Sequence, residues 1–402
     1  IDTVGEIPPS EGRQLQLTLD YDLQEAAEAA FKLAGFDGAA VVLDPRSGEI
    51  LSLVSLPAYD PNAFAMGIDS ATWSGLNDDT RRPLSNRALQ GRYSPGSTFK
   101  IAMAVAALEE GIINAEDRVA CHGGGTFYGR FYKCWGSHGS VNMREALEQS
   151  CNTYFYTLGQ KMEVDQIHKW ATALGLGVLS GIDLPHEVQG LVPSTAWKRE
   201  ARGERWYPGE TISVAIGQGA VDVTPLSLAV MMATVVNGGT RVTPYLLKAV
   251  NDGDGWAPAQ PPGPRSQVTL SPETISAVTD GLWNVVNRAG TGGRARIEGR
   301  DVIGKTGTAQ VISLRGRTAA GETDPEFFDH GWFVFAAPAH APEIAGVVFG
   351  EHNEHGSLSA PIAKHVMETY FAKQDGRPLP VLPLPAPPAV VPPLASTAVV
   401  TN

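Results

Sequence analysis

The pattern that most constrains this chain is the placement of its β-rich runs. One pair lies early, within Ala39 to Val54, and three more lie late, at Asp301 to Ile312, Gly331 to Ala336 and Ile344 to Gly350. Between them the stretch from Ser97 to Asp280 is mostly helical in pattern, with long connections. Runs so far apart can share one sheet only if the chain returns to where it began, which predicts an antiparallel sheet built from distant segments and an α/β (α+β) fold. Asp44-Pro45-Arg46-Ser47-Gly48 turns the first pair into a hairpin. Helical patterns at Tyr21 to Lys32 and Leu358 to Phe371 would flank the sheet, and the central segment would form a helical lobe facing it. A groove between lobe and sheet is a natural ligand site.

Composition sets the limits of this reading. The chain has 402 residues, 43% of them apolar and 18% charged, enough to bury a core and typical of a globular protein. Its net charge of -12 argues against nucleic acid as a partner and against attachment to anionic lipid by charge alone. No run of about 18 apolar residues occurs, so the sequence carries no membrane-span pattern, and its start at Ile1 lacks a signal-peptide pattern. Residues 1–13, with Pro8 and Pro9, read as a linker from a preceding region, and residues 374–402, where Pro alternates with Leu, Val and Ala, as a disordered tail. The folded domain is then expected over residues 14–373.

Three short motifs carry chemistry. In Ser97-Thr98-Phe99-Lys100 a Pro95-Gly96 turn opens a helix, so the Ser97 hydroxyl lies in its first turn and the Lys100 amine on the same face, within hydrogen-bond reach. An isolated S-x-x-K equally fits a capping Ser and a solvated Lys. Ser150-Cys151-Asn152 interrupts two helical patterns, Val141 to Gln149 and Thr153 to Met162, and fits either a polar turn at a site or a plain helix cap. In Lys305-Thr306-Gly307-Thr308 the Gly removes a side chain from a strand, as a bulge would, or as the close approach of another extended backbone would require. S-x-x-K, S-x-N and K-T-G in this order match the known motif set of penicillin-binding proteins and class A β-lactamases.

The cysteines form a fourth pattern. Cys121, Cys134, His138 and Cys151 are spaced C-x12-C-x3-H-x12-C, a donor set suited to tetrahedral zinc. A Cys121 to Cys134 disulfide with Cys151 free fits the same residues in an oxidising compartment. His330, His352, His355 and His365 read as surface or packing residues, and Trp332 and Phe333 as core.

Together with Asp44 to Leu51, Asp60-Pro61-Asn62-Ala63-Phe64, Asn86-Arg87-Ala88, Gly217-Gln218-Gly219, Thr224-Pro225-Leu226 and Gly304 to Gln310, these motifs make almost the whole folded chain resemble the transpeptidase domain of class B penicillin-binding proteins. Among these it most resembles the elongation group, penicillin-binding protein 2. The resemblance implies the penicillin-binding transpeptidase fold and a serine D,D-transpeptidase that cross-links peptidoglycan stem peptides ending in D-Ala-D-Ala and is blocked covalently by β-lactams. Ser97 would be the nucleophile, Lys100 its base, kept neutral by the nearby cation Lys305 and by a partly dry groove, Ser150 the proton relay and Asn152 the holder of Lys100 and substrate. The N–H groups of Ser97 and Thr308 would form the oxyanion hole, the Thr306 and Thr308 hydroxyls would receive the terminal carboxylate, and substrate would lie as a strand along Lys305 to Thr308, with Gly307 making room. The family also implies a membrane anchor and pedestal domain ahead of this chain, a location at the periplasmic face of the bacterial inner membrane, and a SEDS-family glycan polymerase as partner. Some members hold zinc in the region matching residues 117–151, often through Asp where this chain has Cys121 and Cys134. The resemblance thus favours a zinc loop. A β-lactamase, a β-lactam sensor and a division-type class B enzyme are the competing classes. No carboxylate base for deacylation stands out, and the division type would lack the Cys/His set.

Overall fold

The computed structural model describes residues 11–311 and 327–383. The first ten residues of the expected linker, Ile312, and the tail from residue 384 onward lie outside the described residues. A five-stranded antiparallel sheet is ordered Ile303–Ala309, His330–Ala337, Ile344–Gly350, Gly38–Leu43, Ile50–Leu56, so the late strands and the early hairpin do meet. The hairpin turn is held by Gly48 N–H donating to Asp44 O.

Successive residues of a strand face opposite sides, and the sheet uses both faces. On one face Val42, Phe333, Phe335 and Val348 pack against Leu23 and Phe31 of the helix Tyr21–Ala34 and against Val366 and Phe371 of the helix Gly356–Gln374. On the other, Val41, Trp332, Val334, Val347 and Phe349 pack against Phe99, Met231 and Met232 of the helical lobe. Burial on both sides explains the unbroken apolar run Gly38-Ala39-Ala40-Val41-Val42-Leu43. Trp332 and Phe333 are fully buried, as core residues should be.

The lobe departs from the helical expectation in several places. Residues 119–141 form two small antiparallel pairs, Val119–Cys121 with Gly139–Val141 and Gly124–Phe127 with Arg130–Lys133. Farther on, Thr240–Arg241 makes a two-residue pairing with Ser266–Gln267, and Leu247–Asn251 pairs with Gln14–Leu17. These strands are short, and in the first region Gly-rich, so they have no period a sequence can display. The described end of the chain also packs more than a free tail would: Arg300 pairs with Asp375 at 2.6 Å, and Leu382 rests against the sheet-and-helix core.

Candidate active site

The Ser97 turn is shaped by three glycines from three segments. Gly96–Phe99 is a 3-10 turn running directly into the helix Lys100–Glu109. Gly96 is left-handed (φ +53°), and a Cβ there would come 2.2 Å from Thr308 O. A Cβ on left-handed Gly217 would come 2.2 Å from Gly96 O, while Gly96 N–H donates to Gly217 O at 3.0 Å. A Cβ on Gly307 would come 2.8 Å from Pro95 O and 2.9 Å from Thr98 Cγ2. The backbone that Gly307 allows to approach closely is that of the Pro95–Thr98 turn. These contacts bring the Ser97 turn against the Thr308 peptide.

The Ser97 hydroxyl is partly exposed and has no hydrogen-bond partner among the described residues. The Lys100 amine, expected beside it, donates instead to Asn152 Oδ1 (2.6 Å), Ser150 O (2.9 Å) and Ser150 Oγ (3.2 Å). The helix start thus reaches across to the S-x-N turn. That turn is no simple N-cap. The helix Met143–Glu148 ends in a Schellman motif, with Ser150 N–H donating to Leu147 O (3.2 Å) and Cys151 N–H to Ala146 O (2.9 Å). The left-handed position such a motif requires, usually Gly, is Ser150 itself (φ +50°). Asn152 then opens the next helix, Asn152–Lys161. Trp135 Nε1–H binds the two freed carbonyls, Gln149 O at 3.1 Å and Ser150 O at 3.2 Å.

Both lysines are fully enclosed. Burial lowers the Lys100 pKa to about 7, against the opposing pull of Cys134 and Cys151. Burial first, and then the charge of Lys100, push Lys305 well below its ordinary range. Of the two expected causes, desolvation is the one that lowers Lys100, and Lys305, expected as the site's cation, is itself driven toward the neutral amine. Its Nζ donates to Thr306 O at 3.0 Å.

Thr306 and Thr308 differ. Thr308 is partly exposed, and the Gln218 side-chain N–H reaches its carbonyl at 3.4 Å. Thr306 is 4% exposed and its hydroxyl lies 2.6 Å from that of Thr291, a residue the sequence reading missed. The available signal was Gly290-Thr291-Gly292, a polar residue between two glycines just before the K-T-G strand.

The fourth pattern also assembles. The donor atoms of Cys121, Cys134, His138 and Cys151 all lie within 4.8 Å of one another, and all three thiols are free. His138 Nδ1 is 3.4 Å from Cys121 Sγ and 3.5 Å from Cys134 Sγ. Tetrahedral Zn–S and Zn–N bonds of roughly 2.3 and 2.05 Å would place N and S about 3.5 Å apart, so the residues fit the ion. Cys134 is drawn toward the thiolate by the Cys151 thiol and by backbone N–H groups, including Asn152 N at 3.2 Å, whereas Cys151 is pushed up. His138 Nε2 is buried with no partner among the described residues, so the ring is held by its Nδ1 contacts to the two thiols and by packing against Trp135 at 4.8 Å.

Comparison with known proteins agrees with this geometry. The penicillin binding protein transpeptidase domain family matches residues 38–368. The chain belongs to that family. Peptidoglycan D,D-transpeptidase MrdA of Acinetobacter baumannii is 39% identical over 383 residues, covering 94% of this chain and 56% of that protein. This chain thus spans little more than half of that curated relative. The structure of Pseudomonas aeruginosa PBP2 in complex with WCK 5153 superposes with a TM-score of 0.82 at 38% identity, covering 92% of this chain and 78% of that one. Penicillin-binding protein A of Mycobacterium tuberculosis, solved as an imipenem acyl-enzyme complex, gives 0.73 at 27% identity, covering 89% and 80%. Among the described residues no helix is long and apolar enough to cross a membrane.

Proposed function

We propose that this chain is the catalytic domain of a peptidoglycan D,D-transpeptidase of cell elongation. The observation that carries the reading is the Lys100 amine bonded at once to Ser150 and Asn152, one helical turn on from a Ser97 that is partly exposed and whose hydroxyl has no partner among the described residues. Neutral Lys100 takes the Ser97 proton as the hydroxyl oxygen attacks the carbonyl between the two terminal D-alanines of a stem peptide. The N–H groups of Ser97 and Thr308 stabilise the oxyanion. As the C–N bond breaks, Ser150 passes the proton from Lys100 to the departing D-alanine amine, leaving an ester on Ser97. Asn152 holds Lys100 and the substrate amide. An amine of a second stem peptide then attacks the ester, forming the cross-link and restoring Ser97. Lys305 and the K-T-G strand receive the donor's terminal carboxylate, where an arriving anion favours the charged form of Lys305. A β-lactam enters as the donor and stays as the ester; the acyl-enzyme solved for the Mycobacterium tuberculosis relative supports this.

Cys121, Cys134, His138 and Cys151 would hold one zinc ion, whose contribution is structural: it fixes the loop 117–151 and, through Cys151, the residue next to Ser150. By family resemblance the domain works at the periplasmic face of the inner membrane with a SEDS-family glycan polymerase.

Two measurements test these readings. Incubated with a D-Ala-D-Ala donor peptide and an amine acceptor, the domain should yield the cross-linked product and free D-alanine; hydrolysis alone, or no turnover, contradicts the reading. For the metal, one zinc and three thiols per denatured, non-reduced chain are expected. No zinc and one thiol would mean a disulfide.

A further inference from the structure

Thr291 lies in the connection between the helix Pro272–Asn287 and the K-T-G strand. Its position is set by close packing of the glycines on both sides against Val285. A Cβ on Gly290 would come 2.5 Å from Val285 Cα, one on Gly292 would come 3.0 Å from Val285 Cγ1, and Gly292 N–H donates to Val285 O at 2.9 Å. The Thr291 hydroxyl is thereby held 2.6 Å from the Thr306 hydroxyl.

Two hydroxyls that share one hydrogen bond use one proton between them and leave the other free. Thr306 is enclosed and Thr291 is partly exposed, so of the two hydroxyls it is that of Thr291 that can offer the spare O–H to a ligand. We propose that Thr306 donates to Thr291 and that Thr291 in turn donates to the carboxylate of the bound donor: the C-terminal carboxylate of the stem peptide or the ring carboxylate of a penicillin. Polarisation along this short chain strengthens the terminal donor. Lys305, bonded to Thr306 O at 3.0 Å, brings its amine to the same stretch of strand. The family pattern assigns carboxylate contact to the threonines of the K-T-G strand; this arrangement moves one of those contacts onto a residue outside the motif.

The inference rests on the transpeptidase reading, and the test separates the two. Acylation rate constants are measured with benzylpenicillin and with its methyl ester, which lacks the anion, for the unaltered domain, Thr291→Val and Thr291→Ser, each checked for a native melting transition. Loss of a hydrogen bond to a charged group is expected to slow Thr291→Val about 10- to 100-fold with the acid. Its effect on the ester should stay below about 3-fold, and Thr291→Ser should remain within about 3-fold of the unaltered domain with both, as expected when the hydroxyl alone is at stake. Equal slowing with acid and ester would make Thr291 a structural residue, and an unchanged rate with the acid would remove it from the site; either overturns the proposal. If Thr291→Val fails to fold, Thr291→Ala supplies the same comparison. An unaltered domain that benzylpenicillin does not acylate would instead overturn the transpeptidase reading.

Discussion

Two turns deliver the hydroxyls of this site, and they are built in opposite ways. At Ser97 the left-handed residue is Gly96, one place before the serine, where the absence of a side chain removes the strain and lets Gly217 and Thr308 close around the turn. At Ser150 the left-handed residue is the serine itself, at roughly 1–2 kcal/mol of backbone cost. The first turn is fixed by backbone packed on backbone. The second is fixed from outside, by the Trp135 N–H on its carbonyls, by Lys100, and by Cys151 inside the thiol cluster. A strained position persists only where its surroundings over-determine it, which gives the Cys/His loop a mechanical reason to stand beside the catalytic groups.

The comparison can be broken from either side. The largest effect should come from Ser150→Ala, which removes the proposed proton carrier and should slow penicillin acylation by roughly 10² to 10⁴ in a folded domain. A near-normal stopped-flow rate would reduce Ser150 to a helix terminator. Gly96→Ala should come next, with acylation about 10²-fold slower, because the new methyl must displace the Thr308 peptide and the nucleophile with it. An unchanged rate would show that the glycine packing does not set the Ser97 position.

Cys151→Ala should slow acylation about 10- to 100-fold, as loss of a supporting group does, and should lower metal content on elemental analysis. Reduced metal with unchanged acylation would separate the cluster from the Ser150 turn. The smallest difference is thermodynamic. Ser150→Gly and Ser150→Ala both lack the hydroxyl, yet Gly suits the left-handed backbone, so denaturant titration should find the Gly variant more stable by about 1 kcal/mol. Equal stability would mean that Ser150 carries no strain.

The sheet was legible because its strands are long and apolar and the helices around them are periodic, so that Gly38–Leu43 and Ile344–Gly350 needed only the rule that distant strands must pair. The site residues were legible as motifs, and the spacing of Cys121, Cys134, His138 and Cys151 left a four-residue cluster and a Cys121 to Cys134 disulfide both open, whereas the fold brings all four donors together with the thiols free. What the sequence hid is tertiary. That Lys100 reaches Ser150 rather than Ser97 depends on how a turn 50 residues away is aimed. The reason for Gly307 lies in Pro95 and Thr98, and Thr291 gains its neighbour Thr306 only once a strand is laid beside its loop. Burial also decided the lysine chemistry, since a sequence shows two cations while the fold encloses both.

The central claim is a serine acyl-enzyme supported by a metal-held turn, and native mass spectrometry before and after benzylpenicillin tests it most directly. The account predicts a chain carrying one zinc that gains one slowly released penicilloyl group, mapped to Ser97 by peptide digestion. A chain with no adduct, an adduct on another residue, or rapid return of free protein with hydrolysed drug would contradict it.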